Sequence, residues 1–220
     1  MSLRHIIFDC DGVLIDSEDI SMVIDQRLLA ESGAELSLPE MYRRFVGKTF
    51  AAMVQEIEGE FGLTLPADLE LRKDGLMLAE YRASLKPIAH VATALDEIDL
   101  PKSIGTNGPR ARALEALKMV GIDHHFGSRV TTFEDVQNGK PAPDVYLLAA
   151  GRAGFTPAEC AVVEDSVTGM LAAARAGCKT FGFTGSHAQD PHHADRLKHA
   201  GAHVIFSDMR QLPGLIRSAI

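Results

Sequence analysis

The 220-residue sequence predicts an α/β fold, a doubly wound parallel sheet whose first strand is followed by an all-helical insert. Three observations predict it. Short apolar runs rich in β-branched residues recur along the chain, helical patterns with clear start and stop signals alternate with them, and the block from about residue 18 to 85 holds no convincing strand. Runs this apolar suit strands covered on both faces of a parallel sheet. Strand and helix in alternation build such a sheet with right-handed crossovers.

The first strand candidate, residues 3–8, ends in Asp9-Cys10-Asp11-Gly12. Further candidates are residues 102–105, 129–132, 160–163, 179–183 and 203–206. Between them, residues 109–120 open on a proline in the first turn and stop at Gly121, and residues 144–153 stop at Gly154. Ser166 is placed to cap a helix running through Ala172-Ala173-Ala174 to Gly177, and residues 211–219 close the chain. Within the insert the helical stretches are 20–31, 39–45, 50–61 and 67–84, separated by Ser32-Gly33, Gly47 and Gly62. The expected domains are therefore a sheet core, residues 1–17 with 86–220, and a helical domain, residues 18–85. The segment 186–193, with its histidines and Asp190, reads as a solvated polar loop.

Composition narrows the function. Acidic residues outnumber Lys and Arg 30 to 22, a net charge of −8, which disfavours nucleic acid as a partner. The N-terminus lacks a secretory apolar core, and no stretch approaches the ~20 apolar residues of a membrane span. With three cysteines and no Cys-x-x-Cys pair, neither a disulfide framework nor a zinc site is expected. Cys160 and Cys178, beside apolar runs, read as small buried residues. A reducing, cytoplasmic setting follows, and a monomer is the default.

Ligands of open parallel sheets bind beyond the carboxyl ends of the strands. Polar motifs mark such ends: Asp9-Cys10-Asp11-Gly12, Thr106-Asn107-Gly108, Lys140-Pro141 and Glu164-Asp165-Ser166. Carboxylates at Asp9 and Asp11 repel one another, and a divalent cation relieves that repulsion. Mg²⁺ takes hard oxygen ligands and needs few of them, so Glu164 and Asp165 can complete its shell. Thr106 and Asn107 precede a helix N-terminus, where backbone N–H groups attract an anion. Lys140, held between glycine and prolines in Gly139-Lys140-Pro141-Ala142-Pro143, offers a fixed charge to a phosphoryl group. Taken singly, each motif has a plainer explanation: a solvated acidic turn, a helix cap, a loop lysine.

In combination and in this order the motifs resemble the haloacid dehalogenase-like hydrolase superfamily, in its subfamily with a helical cap after the first strand of a Rossmann-like core. The resemblance covers nearly the whole chain. Residues 8–17, Phe8-Asp9-Cys10-Asp11-Gly12-Val13-Leu14-Ile15-Asp16-Ser17, look like motif one; Thr106-Asn107, Lys140-Pro141 and Val163-Glu164-Asp165-Ser166 look like motifs two to four. The resemblance implies a Mg²⁺-dependent phosphatase acting on a small phosphorylated metabolite through an aspartyl-phosphate. Asp9 would be the nucleophile and Asp11 the acid and base. Asp9, the Asp11 backbone carbonyl and Asp165, with Glu164, would bind Mg²⁺, and Thr106, Asn107 and Lys140 would hold the phosphoryl oxygens.

Asp11 sets the chain apart from dehalogenases and phosphonatases and points to phosphatase or phosphomutase chemistry; among phosphatases the whole chain, with its Thr106-Asn107-Gly108-Pro109 form of motif two, resembles the sugar-phosphate type, 6-phosphogluconate phosphatase-like members included. The alternative is a β-phosphoglucomutase-like mutase, but the histidine expected on the cap is replaced by Ile20-Ser21-Met22, and none occurs between His5 and His90. A phosphate-sensing or scaffold protein with a vestigial site is the non-enzyme reading, and the intact motifs argue against it. Gly47, Lys48 and Thr49 match the cap loop that chooses the substrate in relatives, whereas Arg43 and Arg44 read as a solvated helix face. Relatives carry a Pro-Gly pair on re-entry to the core; here Lys86-Pro87-Ile88-Ala89-His90 lacks that glycine.

Overall fold

His-Ile-Ile-Phe forms the first strand, β1 (His5–Phe8), and all four side chains are buried. The computed structural model describes residues 2–45, 50–188 and 190–220. A two-residue strand β2 (Ile15–Asp16) leads to four helices, α1 (Glu18–Glu31), α2 (Leu38–Phe45), α3 (Phe50–Phe61) and α4 (Leu69–Ser84). Alternation then begins: β3 (Lys86–Pro87), α5 (Val91–Glu97), β4 (Lys102–Thr106), α6 (Arg110–Met119), β5 (Val130–Thr132), α7 (Asp144–Arg152), β6 (Cys160–Glu164) and α8 (Val167–Ala176). It closes with β7 (Lys179–Phe183), α9 (His193–His199), β8 (Val204–Phe206) and α10 (Leu212–Arg217). The chain divides into two compact units, 1–16 with 86–220, and Ser17–Leu85.

In the larger unit six strands pair in the order β5-β4-β1-β6-β7-β8, every pair parallel. The predicted fold class holds. From β1 the chain winds outward through β4 to β5, then crosses back to β6 on the other side of β1 and winds outward to β8, so the direction of winding reverses beside β1. That reversal opens a crevice at the strand carboxyl ends, where Asp9 follows β1. Ile7 lies in register with Ser103 on one neighbour and Val162 on the other. Under the sheet, Ile7, Tyr146, Ala149, Ala150, Cys160 and Val162 form one buried cluster with the small residues of α8. The alanines of α8 let it sit close to β6 and β7. Its ends follow the expected signals: Ser166 Oγ accepts from Gly169 N at 3.0 Å, and Gly177 takes φ 81°. All three cysteines are buried and free.

The smaller unit is helical. Met22, Leu28, Leu29, Met41, Ile57, Met77 and Tyr81 are buried in it, and the buried Asp25 accepts from Lys73 Nζ at 2.7 Å. Arg44 departs from expectation. Its guanidinium lies among Glu40, Glu56 and Glu60 with only 16% of the side chain exposed, whereas Arg43 stays 74% exposed. Residues twelve and sixteen positions apart create that pocket of charge, which helix periodicity in α2 alone does not reveal. Among the described residues, no helix is long and apolar enough to cross a membrane.

The missing glycine has a local consequence. His90, exposed and just ahead of α5, sits at φ 66°, the left-handed region that side chains disfavour. Left-handed backbone costs a residue with a Cβ about 1–2 kcal/mol. His90→Gly is expected to raise thermal stability by about 0.5–1 kcal/mol after the greater freedom of the unfolded glycine chain is subtracted. A melting temperature unchanged or lowered in that variant would mean that the His90 side chain makes compensating contacts.

Candidate active site

Asp9, at the end of β1, is buried, and its backbone N–H donates to Val163 O at 3.0 Å, locking the β1 and β6 ends together. Its Oδ1 accepts from Cys10 N at 2.7 Å and lies 2.9 Å from Lys140 Nζ. Lys140 comes from the loop ahead of α7, and its Nζ also donates to Glu164 Oε1 at 2.6 Å. Asn107 holds that loop in place. Its Oδ1 accepts from Lys140 N at 2.9 Å and its Nδ2 donates to Lys140 O at 3.2 Å, so the amide brackets the lysine backbone.

Glu164 ends β6 with no exposed surface. Tyr146 OH donates to Oε1 at 2.6 Å, while Ser166 N and Oγ donate to Oε2 at 3.0 and 2.9 Å. Gly169 makes this possible: a Cβ there would fall 1.7 Å from Oε1. Asp165, next in the chain, has different partners. Ser186 Oγ and His187 Nε2 each lie 3.0 Å from its Oδ2, and His193 Nε2 lies 2.6 Å from its backbone carbonyl. The expected solvated loop is therefore corrected. His187 and His193 are buried, 7% and 1% exposed, because the segment after β7 turns back over Asp165 and starts α9 there.

Thr106, buried at the end of β4, accepts from Gly108 N through Oγ1 at 2.9 Å, which leaves its O–H to donate to a ligand. Asp11 is half-buried: its side chain is 29% exposed, with Arg112 Nη2 3.7 Å from Oδ2. Gly47, Lys48 and Thr49 lie outside the described residues. The structure thus brings Asp9, Lys140, Glu164 and Asp165 into one cluster, with Thr106 and Asn107 around the neighbouring strand end. Tyr146, Ser186, His187, His193 and Arg112 are additions that the motifs did not mark. Tyr146 was hidden in an apolar helix pattern and the histidines in a polar stretch.

The electrostatics follow from burial. Removal from water, then the charges of Glu164 and Asp165, push Asp9 well above the ordinary carboxylate range, against the pull of Lys140. Burial alone would also raise Glu164, but the charge and hydrogen bond of Lys140 bring it below its usual value. Burial works against the Lys140 ammonium too, and the carboxylates of Asp9 and Glu164 more than offset it, holding that pKa up. Burial, with His187 beside it, lowers His193. One lysine therefore faces three buried carboxylates. Asp9, Glu164 and Asp165 each offer a ligand oxygen, all within 4.8 Å of one another, so these residues could hold a metal ion. The donor set, all hard oxygen with a surplus of negative charge, fits a divalent cation such as Mg²⁺. Asp9 and Asp165 suit it best, since each has one oxygen engaged and another to offer.

A family model for haloacid dehalogenase-like hydrolases matches residues 3–177. The chain is 28% identical over 216 residues to the 6-phosphogluconate phosphatase of Escherichia coli strain K12, covering 97% of this chain and 94% of that one. It is 33% identical over 191 residues to a phosphorylated carbohydrates phosphatase of Thermotoga maritima, covering 80% and 82% of the two chains. Among solved structures, a haloacid dehalogenase-like protein of Agrobacterium tumefaciens matches with a TM-score of 0.88 at 37% identity, covering 99% of each chain. The chain belongs to the haloacid dehalogenase-like hydrolases. The Escherichia coli and Thermotoga maritima relatives are both named as phosphatases, in keeping with the enzyme class implied by Asp11 and the four motifs.

Proposed function

We propose that this protein is a Mg²⁺-dependent phosphatase that hydrolyses a small sugar phosphate or sugar-acid phosphate through a phosphorylated Asp9. The observation that carries the proposal is the buried cluster of Asp9, Glu164 and Asp165 around Lys140 at the ends of β1 and β6. The phosphatase names of its relatives support the substrate class.

An Asp9 carboxylate oxygen attacks phosphorus, the ester P–O bond breaks, and Asp11 gives its proton to the departing alkoxide. Water then attacks the acyl phosphate while Asp11 takes up a proton. The bond between Asp9 oxygen and phosphorus breaks, freeing inorganic phosphate and restoring both carboxyl groups. Lys140 and the Thr106 hydroxyl bind the phosphoryl oxygens. Asn107 keeps Lys140 in place through its backbone and lies beside the same oxygens. Asp9, the Asp11 carbonyl and Asp165 would hold Mg²⁺, with Glu164 contributing mainly charge, since its own oxygens serve Lys140, Tyr146 and Ser166. The bound ion supplies neutralisation of the charge on the transferring group, which is most of what phosphoryl transfer requires. We place the reaction in the cytoplasm, with the chain acting as a monomer.

A phosphate-release screen over sugar phosphates, sugar-acid phosphates and nucleotides, with Mg²⁺ and with chelator, tests the function. Release confined to Mg²⁺ and strongest on the sugar compounds is expected. Conversion of glucose 1-phosphate to glucose 6-phosphate without phosphate release would replace hydrolysis by mutase chemistry. The helical unit is the substrate-selecting part in this proposal, with Gly47, Lys48 and Thr49 as its contact loop. Lys48→Ala is expected to raise KM for the best sugar substrate about tenfold, the scale of one charged hydrogen bond, and to leave an aryl phosphate nearly unaffected. Equal effects on both substrates would remove Lys48 from recognition.

A further inference from the structure

The segment after β7 converges on Asp165. Ser186 Oγ donates to Asp165 Oδ2 at 3.0 Å, and His187 Nε2 reaches the same oxygen at 3.0 Å. A carboxylate only accepts, so that histidine nitrogen carries the hydrogen. His193 Nε2, 2.6 Å from the Asp165 carbonyl, is a donor by the same reasoning. The two imidazoles pack with centroids 4.2 Å apart, so neither ring turns without moving the other. Arg196 Nη2 lies 3.2 Å from the remaining His193 nitrogen and pairs in turn with Asp190, which anchors the start of α9. The backbone of Gly12, at φ 71°, also comes so close that a Cβ there would fall 1.9 Å from Asp165 Oδ2. Among the described residues, both side-chain hydrogen bonds to Asp165 fall on Oδ2, which leaves Oδ1 to offer to a cation.

We propose that Ser186, His187 and His193 are positioning residues that fix Asp165 as a metal ligand and thereby set the affinity of the site for Mg²⁺, an inference that rests on the metal-dependent function proposed above. A carboxylate free to rotate loses orientation on binding a cation; one already held by two donors and a tight backbone contact does not. Donors of this kind behind a metal ligand are typically worth about 10–100-fold in metal affinity.

Calorimetric titration of the full chain with MgCl₂ tests this. His187→Ala is expected to weaken Mg²⁺ binding about 10–100-fold, and His187→Gln, whose amide N–H reaches toward the Nε2 position, to recover most of the loss. Melting curves without metal identify any variant that fails to fold. If His187→Ala is such a variant, Ser186→Ala carries the test, with a several-fold loss expected. Affinity in His187→Ala within about twofold of the unmodified chain, or His187→Gln binding as weakly as His187→Ala, overturns the inference. Asp165→Asn separates the two levels of the argument. Loss of Mg²⁺ binding there, with His187→Ala unaffected, removes only the positioning role, whereas undiminished binding in Asp165→Asn removes the metal site itself.

Discussion

Asp9→Asn is expected to lower Mg²⁺-dependent phosphate release from an aryl phosphate by at least about 10⁴-fold while leaving the fold as stable as before or more so. The loss follows from the chemistry, since the amide cannot form the acyl phosphate, and removal of a covalent nucleophile costs orders of magnitude more than removal of a binding group. The retained stability follows from the environment. Burial, then the charges of Glu164 and Asp165, push the Asp9 carboxyl well above the ordinary range. Its ionised form is therefore disfavoured in the folded chain. An isosteric neutral amide removes that repulsion, still offers an oxygen to Cys10 N, and leaves Lys140 paired with Glu164. Activity and melting temperature should then move independently. A fully active variant would refute the nucleophile. An inactive variant melting many degrees lower would make Asp9 a structural residue.

The features that proved legible in the sequence are those carried by local pattern. β1 and β6 show as apolar runs because both their faces are covered, and each ends in acidic residues that mark the crevice. The cap of α8 was legible because Ser166 and Gly177 act within one turn of themselves. What stayed hidden depends on residues far apart along the chain. The sequence offers Glu164 and Asp165 as an acidic pair without dividing their roles. Tertiary contacts divide them, one engaging Lys140 and Tyr146, the other the segment carrying His187 and His193. Those histidines look like loop residues because their burial comes from tertiary contact with Asp165 rather than from any periodicity. Arg44 misleads for the same reason, since a second helix contributes Glu56 and Glu60 to the carboxylates around it. Asn107 shows the converse: the motif marks it for phosphate, and the fold also uses it to hold the backbone of Lys140.

Lys140 carries the second large expected effect, on stability as well as activity. Its side chain is 3% exposed and lies 2.9 Å from Asp9 Oδ1 and 2.6 Å from Glu164 Oε1. Removing one partner of a buried charge cluster leaves the others uncompensated, at a cost of about 3–5 kcal/mol. Lys140→Met, which keeps the bulk of the side chain, is expected to lose that much stability when unfolded by denaturant without metal, and to lose phosphate release with it. Adding Glu164→Gln to the same chain distinguishes charge from packing. The amide fills the same space, its oxygen accepting from Ser166 and its NH2 donating to the Tyr146 hydroxyl, and it removes a buried negative charge that no longer has a cation. The double variant should therefore recover a large part of the lost stability and none of the activity, a non-additive result of the kind expected for residues in one network. A double variant no more stable than Lys140→Met alone would mean that the lysine stem, rather than its charge, holds the ends of β1 and β6 together. Recovery of activity along with stability would remove Lys140 from phosphoryl binding.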